Sequence, residues 1–277
     1  MTRSERITGN FVLLGTLIFA AIFFFPVYIV LINSVKSSYI EIFDAPLALP
    51  VHFSIQNYID TWKTVSYSSH FVNSLIVVVI TVGIVLLTAS MAAYKMARTK
   101  TRLSGGILLL FISSMLIPSQ VIIIPLAQAA KDLHLVNSLI GLSLVQAALS
   151  LSMAIFLYHG FVKGIPMALD ESARIDGAGE FRIYSSIILP LLQPVTLTVA
   201  ILNVIGTWNA FLLPMILLGD KKLWTLPILA YSFISENSTQ WEKQLPAVVL
   251  VASPIVIFYL LMQKYIIRGI ADGAVKG

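Results

Sequence analysis

The stretch DESARIDGAGEFRIYSSIILP, residues 170–190, concentrates charge in a chain that otherwise has little of it. Asp170 and Glu171 stand four and three residues before Arg174, the spacing at which a helix brings opposite charges onto one face. Both carboxylates also fall near the positive end of a helix begun at Pro166, whose missing N–H does no harm in a first turn. Gly177 suits the left-handed turn that closes such a helix. The chemistry on offer is ion pairing and docking. A helix of about ten residues is roughly 15 Å long and marginal alone, so this one needs a body to lean on. Ala168, Ser172 and Ala173 keep part of its surface small, as a partner's groove would require; an interfacial loop helix without a partner fits the same residues.

Catalytic chemistry finds little support. His52, His70, His134 and His159 lie apart, without H-E-x-x-H spacing, and no G-x-S-x-G or G-x-x-x-x-G-K-[ST] sequence occurs. There are no cysteines, which excludes disulfides, thiol catalysis and zinc-thiolate sites. We expect no enzyme, no cofactor and no resident metal. If the chain moves a solute uphill, the energy must come from another subunit.

The elements that hold the charged stretch are apolar. The 277 residues are 58% hydrophobic and 11% charged, with a mean hydropathy of +0.90, outside the range of soluble domains. Apolar runs at 11–32, 71–94, 105–130, 138–158, 187–218 and 244–263 each reach the roughly 20 residues a membrane helix needs. They predict an all-α integral membrane protein with six transmembrane helices. The first run is too long for a secretory signal and is expected to stay as a span. With the N-terminus inside, twelve of the eighteen basic residues, all seven arginines among them, fall on the inner side, which places both termini in the cytoplasm. The net charge of +5 is then a topology signal, and nucleic acid is not an expected partner. On this map 170–190 is cytoplasmic, while 33–70 and 219–243 lie outside. The outer aromatics Tyr39, Tyr58, Trp62, Tyr67, Trp224, Tyr231 and Trp241 read as interfacial anchors.

None of the six runs contains Asp, Glu, Lys or Arg. Ion-coupled carriers keep ionisable residues there, so a stand-alone secondary carrier would need a site built of backbone carbonyls. The runs do hold uncharged polar residues and breakers: Pro118, Ser119, Gln120 and Pro125, then Asn203 to Pro214, then Ser253 and Pro254. Freed carbonyls beside prolines must be satisfied by neighbours or a wet cavity. Within GTWNAF, 206–211, the indole of Trp208 and the amide of Asn209 suit a sugar ring and its hydroxyls.

Glu171-Ser172-Ala173, Gly177, then Ile187, Leu189 and Pro190 resemble the E-A-A-x-x-x-G-x9-I-x-L-P signature of the inner-membrane permeases of binding-protein-dependent ATP-binding-cassette (ABC) importers. Ser172 stands where the signature has an alanine. IPLAQAAKDLHLVNSLIGL, FVKGIPMALDESARIDGAGEFRIYSSIILPL, GTWNAFLLP, TLPI and RGIADGAVKG extend the resemblance to the carbohydrate branch, specifically the smaller permease of maltose-type and multiple-sugar-type systems. The resemblance implies the type I ABC importer permease fold in a bacterial or archaeal inner membrane. It divides the chain into a first span and outer segment, 1–70, and a transmembrane domain, 71–277, with a cytoplasmic coupling loop at 160–187. Asp170, Glu171, Ala173, Arg174, Asp176 and Gly177 would couple to a cytoplasmic ATPase present in two copies. The tail Gly273, Ala274, Val275, Lys276 and Gly277 would reach the ATPase dimer interface. The segment 219–243 would meet a solute-binding protein, a second, larger permease would complete the pore, and the cargo would be an oligosaccharide. An ABC permease for a non-sugar substrate, or one working outward, remains the nearest alternative.

Overall fold

A computed structural model describes residues 3–232 and 240–274, with side chains for 9–232 and 240–265. Helices α1 (Arg3–Ser34), α2 (Tyr39–Asp44) and α3 (Gln56–Thr64) lead into α4 (Tyr67–Arg98). Then come α5 (Arg102–Ser114), α6 (Ser119–Asp132), α7 (Leu139–Lys163), α8 (Ala168–Ile175) and α9 (Glu180–Ile183). A π-helical turn, Tyr184–Ile188, joins α9 to α10 (Leu189–Leu191) and α11 (Gln193–Trp208). The chain continues through α12 (Leu212–Leu217), a 3-10 turn at Lys221–Leu223, α13 (Leu226–Ser232) and α14 (Trp241–Ala274). Among the described residues the only extended pairing is an isolated antiparallel bridge between Lys36 and Phe53.

Among the described residues four helical stretches, Gly9–Ser34, Tyr67–Arg98, Leu139–Lys163 and Trp241–Tyr265, are long and apolar enough to cross a membrane unbroken. The expected third and fifth spans are not continuous: α5 and α6 meet at 108°, and Glu180–Leu191 meets α11 at 75°. Six spans are reached only if each bent pair is one span. Proline accounts for both bends. Pro118 caps α6 and disfavours helical backbone in the residue before it. Pro190 and Pro194 cannot donate to the carbonyls four residues back. The helix widens before them, so that Leu189 N–H reaches the Tyr184 carbonyl, the five-residue step of a π-bulge. α11 ends at Trp208, with Asn209 as its C-cap.

The chain divides into two compact units, residues 1–68 with 229–254, and 69–228 with 255–277. In the first, the segment after α1 is tied by polar side chains. Asn33 Nδ2 donates to the Ile29 and Pro46 carbonyls, both at 2.8 Å. Ser34 and Tyr58 share a 2.6 Å hydroxyl bond, and burial raises the Tyr58 pKa against that bond. Lys36 is fully buried, and its Nζ donates to the Ala45 carbonyl at 2.6 Å, beyond the end of α2, where the helix dipole favours a cation. Lys36→Met should remove the ammonium that bonds the Ala45 carbonyl beside its Ala48 N–H, cost about 1.5–3 kcal/mol as the loss of a hydrogen bond to a charged group, and speed proteolytic cleavage within 45–55; unchanged cleavage would show the ammonium to be dispensable. The aromatics here have definite partners beyond any headgroup layer: Trp62 lies 4.1 Å from Tyr67, Trp241 stands edge-on to Phe43, and Tyr67 donates to the Leu250 carbonyl.

In the second unit α4, α7 and the α9–α11 region share one core of Val85, Ala89, Ala93, Ala154, Tyr158, Ile183, Ile188 and Val199. Ala89 and Ala93 of α4 and Ala154 of α7 are fully buried in it, the small side chains that membrane packing favours. A second cluster joins Val77, Ala130, Leu142, Leu213, Leu217 and Ile228. Around it the 219–226 segment is pinned to α4. His70 Nε2 bonds with the Lys221 carbonyl, Asn73 Nδ2 donates to the carbonyls of Lys222 and Trp224, and Leu226 N–H donates to Ser74 Oγ. Of the segment expected to meet a binding protein, 233–239 lies outside the described residues.

Candidate functional site

Pro166 stands just outside α8, whose N-cap is Met167, so the helix has eight residues rather than ten. Only Asp170 and Ala173 of α8 are buried. Three residues apart, they define a single inward stripe. Glu171, Ser172, Arg174 and Ile175 face outward, and Ile175 is 86% exposed. Such a helix is held along one line and offers the rest of its surface to a neighbour.

The hold is electrostatic. Asp170 is completely buried. Its Oδ1 accepts from Tyr94 Oη at 2.7 Å and from Arg98 Nε at 3.2 Å. Arg98 Nη2 stands 2.8 Å from Oδ2 in ion contact, although that second pair lacks hydrogen-bond alignment. Arg98 Nη1 also donates to the Ile165 carbonyl at 3.1 Å, closing the turn that leads from α7 into α8. Ser90, Tyr94 and Arg98 lie four apart on α4, one polar stripe on an apolar helix. The Tyr94 and Tyr184 rings sit 5.7 Å apart, and Tyr184 shares a buried 2.7 Å hydroxyl bond with Ser90. One network therefore fixes α8 and the π-turn to the same helix.

The expected pairing of Arg174 with Asp170 and Glu171 does not form. Asp170 points inward to Arg98, and Arg174 Nε instead donates to Glu180 Oε1 at 2.8 Å. That hydrogen bond raises the Arg174 pKa above its ordinary value. The pair bridges the turn at Gly177, where φ is +80°. There Ala178 N–H donates to the Ala173 carbonyl at 2.9 Å and Gly177 N–H to the Arg174 carbonyl at 3.0 Å. These are the two bonds of a Schellman cap. Asp176 is exposed beside it. The sequence reading missed Arg98, Tyr94, Tyr184 and Ser90; the four-residue spacing along α4 is the signal that could have found three of them.

The remaining predicted positions separate. Trp208 is buried, edge-on to Phe71 at 5.8 Å, and Asn209 is an exposed C-cap. Neither lines the nearby cavity of about 450 Å³, whose walls include their neighbours Gly206, Thr207, Ala210 and Phe211. Gly273 and Ala274 close the backbone of α14; their side chains, and all of Val275, Lys276 and Gly277, lie outside the described residues.

The fold is that of a solved importer component. The chain superimposes with a TM-score of 0.82, over 96% of its length and 98% of the other, on a chain of a bacterial ABC transporter involved in the import of the acidic polysaccharide alginate, at 23% identity. It is 38% identical over 251 residues to the probable starch degradation products transport system permease protein AmyC of Thermoanaerobacterium thermosulfurigenes, covering 91% of each chain. It is 33% identical to the melibiose/raffinose/stachyose import permease protein MelC of Bacillus subtilis, over all of this chain and 98% of that one. The sequence pattern of one family, described as the binding-protein-dependent transport system inner membrane component, runs from residue 84 to 272. Since that stretch takes in Tyr94, Arg98, all of α8 and its Gly177 cap, the chain belongs to this family of multi-pass membrane transport components.

Proposed function

We propose that this chain is one half of the membrane pore of an ATP-driven oligosaccharide importer in a bacterial or archaeal inner membrane. The other half is a larger permease; two copies of a cytoplasmic ATPase supply the energy and an extracytoplasmic solute-binding protein delivers the sugar. The cargo reading is supported by relatives described as a probable permease for starch degradation products and an import permease for melibiose, raffinose and stachyose. The arginine bias supports a cytoplasmic position for α8 and both termini.

A helix exposed along most of its surface yet locked to α4 through buried Asp170 is the observation that carries the mechanism. When ATP draws the ATPase subunits together, force applied to Glu171, Arg174 and Ile175 passes through Asp170 and Ala173 into α4 and the α9–α11 segment. Rigid-body motion of the two pore halves then alternates access. The tail 273–277 is assigned a second ATPase contact.

Glu171→Lys and Gly177→Trp test the exposed face and its cap. Both should insert and assemble, yet lose sugar-stimulated ATPase activity and uptake in proteoliposomes by about tenfold or more. Intact stimulation in an assembled Glu171→Lys complex would remove α8 from the coupling path.

A further inference from the structure

Resting on the importer reading, we infer that this chain carries its own subsite for a neutral sugar, in the cavity between α6, α7 and α11. Its volume of about 450 Å³ is in the range of small-molecule sites. Gln146 of α7 lines it, is only 6% exposed, and its Oε1 has no hydrogen-bond partner. A buried amide oxygen without a partner is costly and calls for a ligand or a water. Asn203 of α11 also lines it and donates its amide N–H to the Val199 carbonyl at 2.8 Å, so its oxygen is not the atom engaged in that bond. Gln120 and Ser150 add donors, and Phe211 an aromatic surface. Sugar hydroxyls donate and accept, so they match acceptors and donors set on several walls, while ring C–H faces suit the aromatic and aliphatic remainder.

Charge narrows the ligand class. Among the described residues no Asp, Glu, Lys, Arg or His lines the cavity, so none of them would compensate a uronate or phosphate brought out of water. A second cavity of about 660 Å³ shares Ser119, Gln120, Leu149 and Met153 with the first and wraps the α5–α6 break. Two adjoining chambers suit successive residues of an oligosaccharide.

The test compares wild type with Gln146→Met in the complete transporter reconstituted in proteoliposomes. Uptake of maltotriose, raffinose and stachyose is measured beside trigalacturonate, together with thermal stability in detergent. Methionine fills similar space and removes the unpaired oxygen, so the variant should be at least as heat-stable as wild type. Neutral-sugar uptake should nevertheless fall about tenfold, with trigalacturonate carried by neither protein. Unchanged uptake in Gln146→Met would overturn the subsite while leaving the importer reading intact. Uptake lost together with heat stability would assign Gln146 to packing and overturn the subsite as well. Uptake of trigalacturonate by wild type would overturn the neutral-ligand assignment. A wild-type complex that carries none of these solutes with ATP would overturn the importer reading, and the subsite with it.

Discussion

Asp170→Ala is expected to abolish ATP-driven uptake and to lower the stability of the chain by about 3–5 kcal/mol, the range for a buried ion pair broken from one side. The substitution leaves Arg98, whose side chain is 10% exposed, with the carbonyls of Val162, in the last turn of α7, and Ile165 and no counter-charge. It also removes the acceptor of the Tyr94 hydroxyl. α8 would then keep Ala173 as its sole buried side chain, and an eight-residue helix with so little to lean on should fray. Glu171 and Ile175 would still be present but no longer fixed to α4. Stability and coupling should therefore fall together, unlike Glu171→Lys, which should lose coupling alone. The double variant Arg98→Met/Asp170→Leu separates charge from packing: apolar residues of similar size often replace a buried pair at no loss, so stability should largely return. Thermal melting of the detergent-solubilised complex and sugar-stimulated ATPase activity read the two effects. An Asp170→Ala complex that melts and transports like wild type would show that the pair contributes nothing to holding α8.

The helical class is legible in the sequence because an uncharged apolar run of more than about 20 residues fits a membrane span and little else. The Gly177 cap is legible for a similar reason, since few other residues tolerate its φ of +80°. Charge pairing is not. The basic residue nearest Asp170 in sequence is Arg174, four positions on, yet Asp170 finds Arg98, 72 positions earlier, because burial selects the partner across the core. The inner arginines read as a topology signal; one of them is also the anchor of the site. GTWNAF shows the converse. Trp208 has the conspicuous chemistry, but its large apolar ring is drawn into the interior against Phe71, leaving Gly206, Thr207 and Phe211 on the cavity wall. Gln146 sits inconspicuously in an apolar helix, and only its missing partner marks it.

Gly141→Ala is expected to have the second large effect, for a reason that differs from the one at Gly177. A Cβ on Gly141 would overlap the carbonyl oxygen of Leu135, and carbonyl and Cα atoms of the same residue stand close behind it. A backbone obstacle cannot swing aside as a side chain can, so either α7 or the 133–137 turn must move. That turn already holds His134 and Asn137 at positive φ. It bonds outward through Asn137 N–H to the Leu217 carbonyl at 2.7 Å and through Asn137 Oδ1, which accepts from Asp220 N–H at 2.9 Å. Displacing it would release the 219–226 segment from one of its two anchors, the other being His70, Asn73 and Ser74 of α4. Overpacking of this kind costs about 1–3 kcal/mol, occasionally more, and an unyielding backbone places Gly141→Ala toward the upper end. At Gly177 an added Cβ meets nothing within 4 Å, so Gly177→Ala bears only the left-handed backbone cost of about 1–2 kcal/mol. Melting temperatures should therefore rank wild type above Gly177→Ala and Gly177→Ala above Gly141→Ala, with protease sensitivity at 219–226 raised in Gly141→Ala alone. The reverse order, or cleavage there in both, would show that the turn before α7 yields more easily than the packing around Gly141 implies.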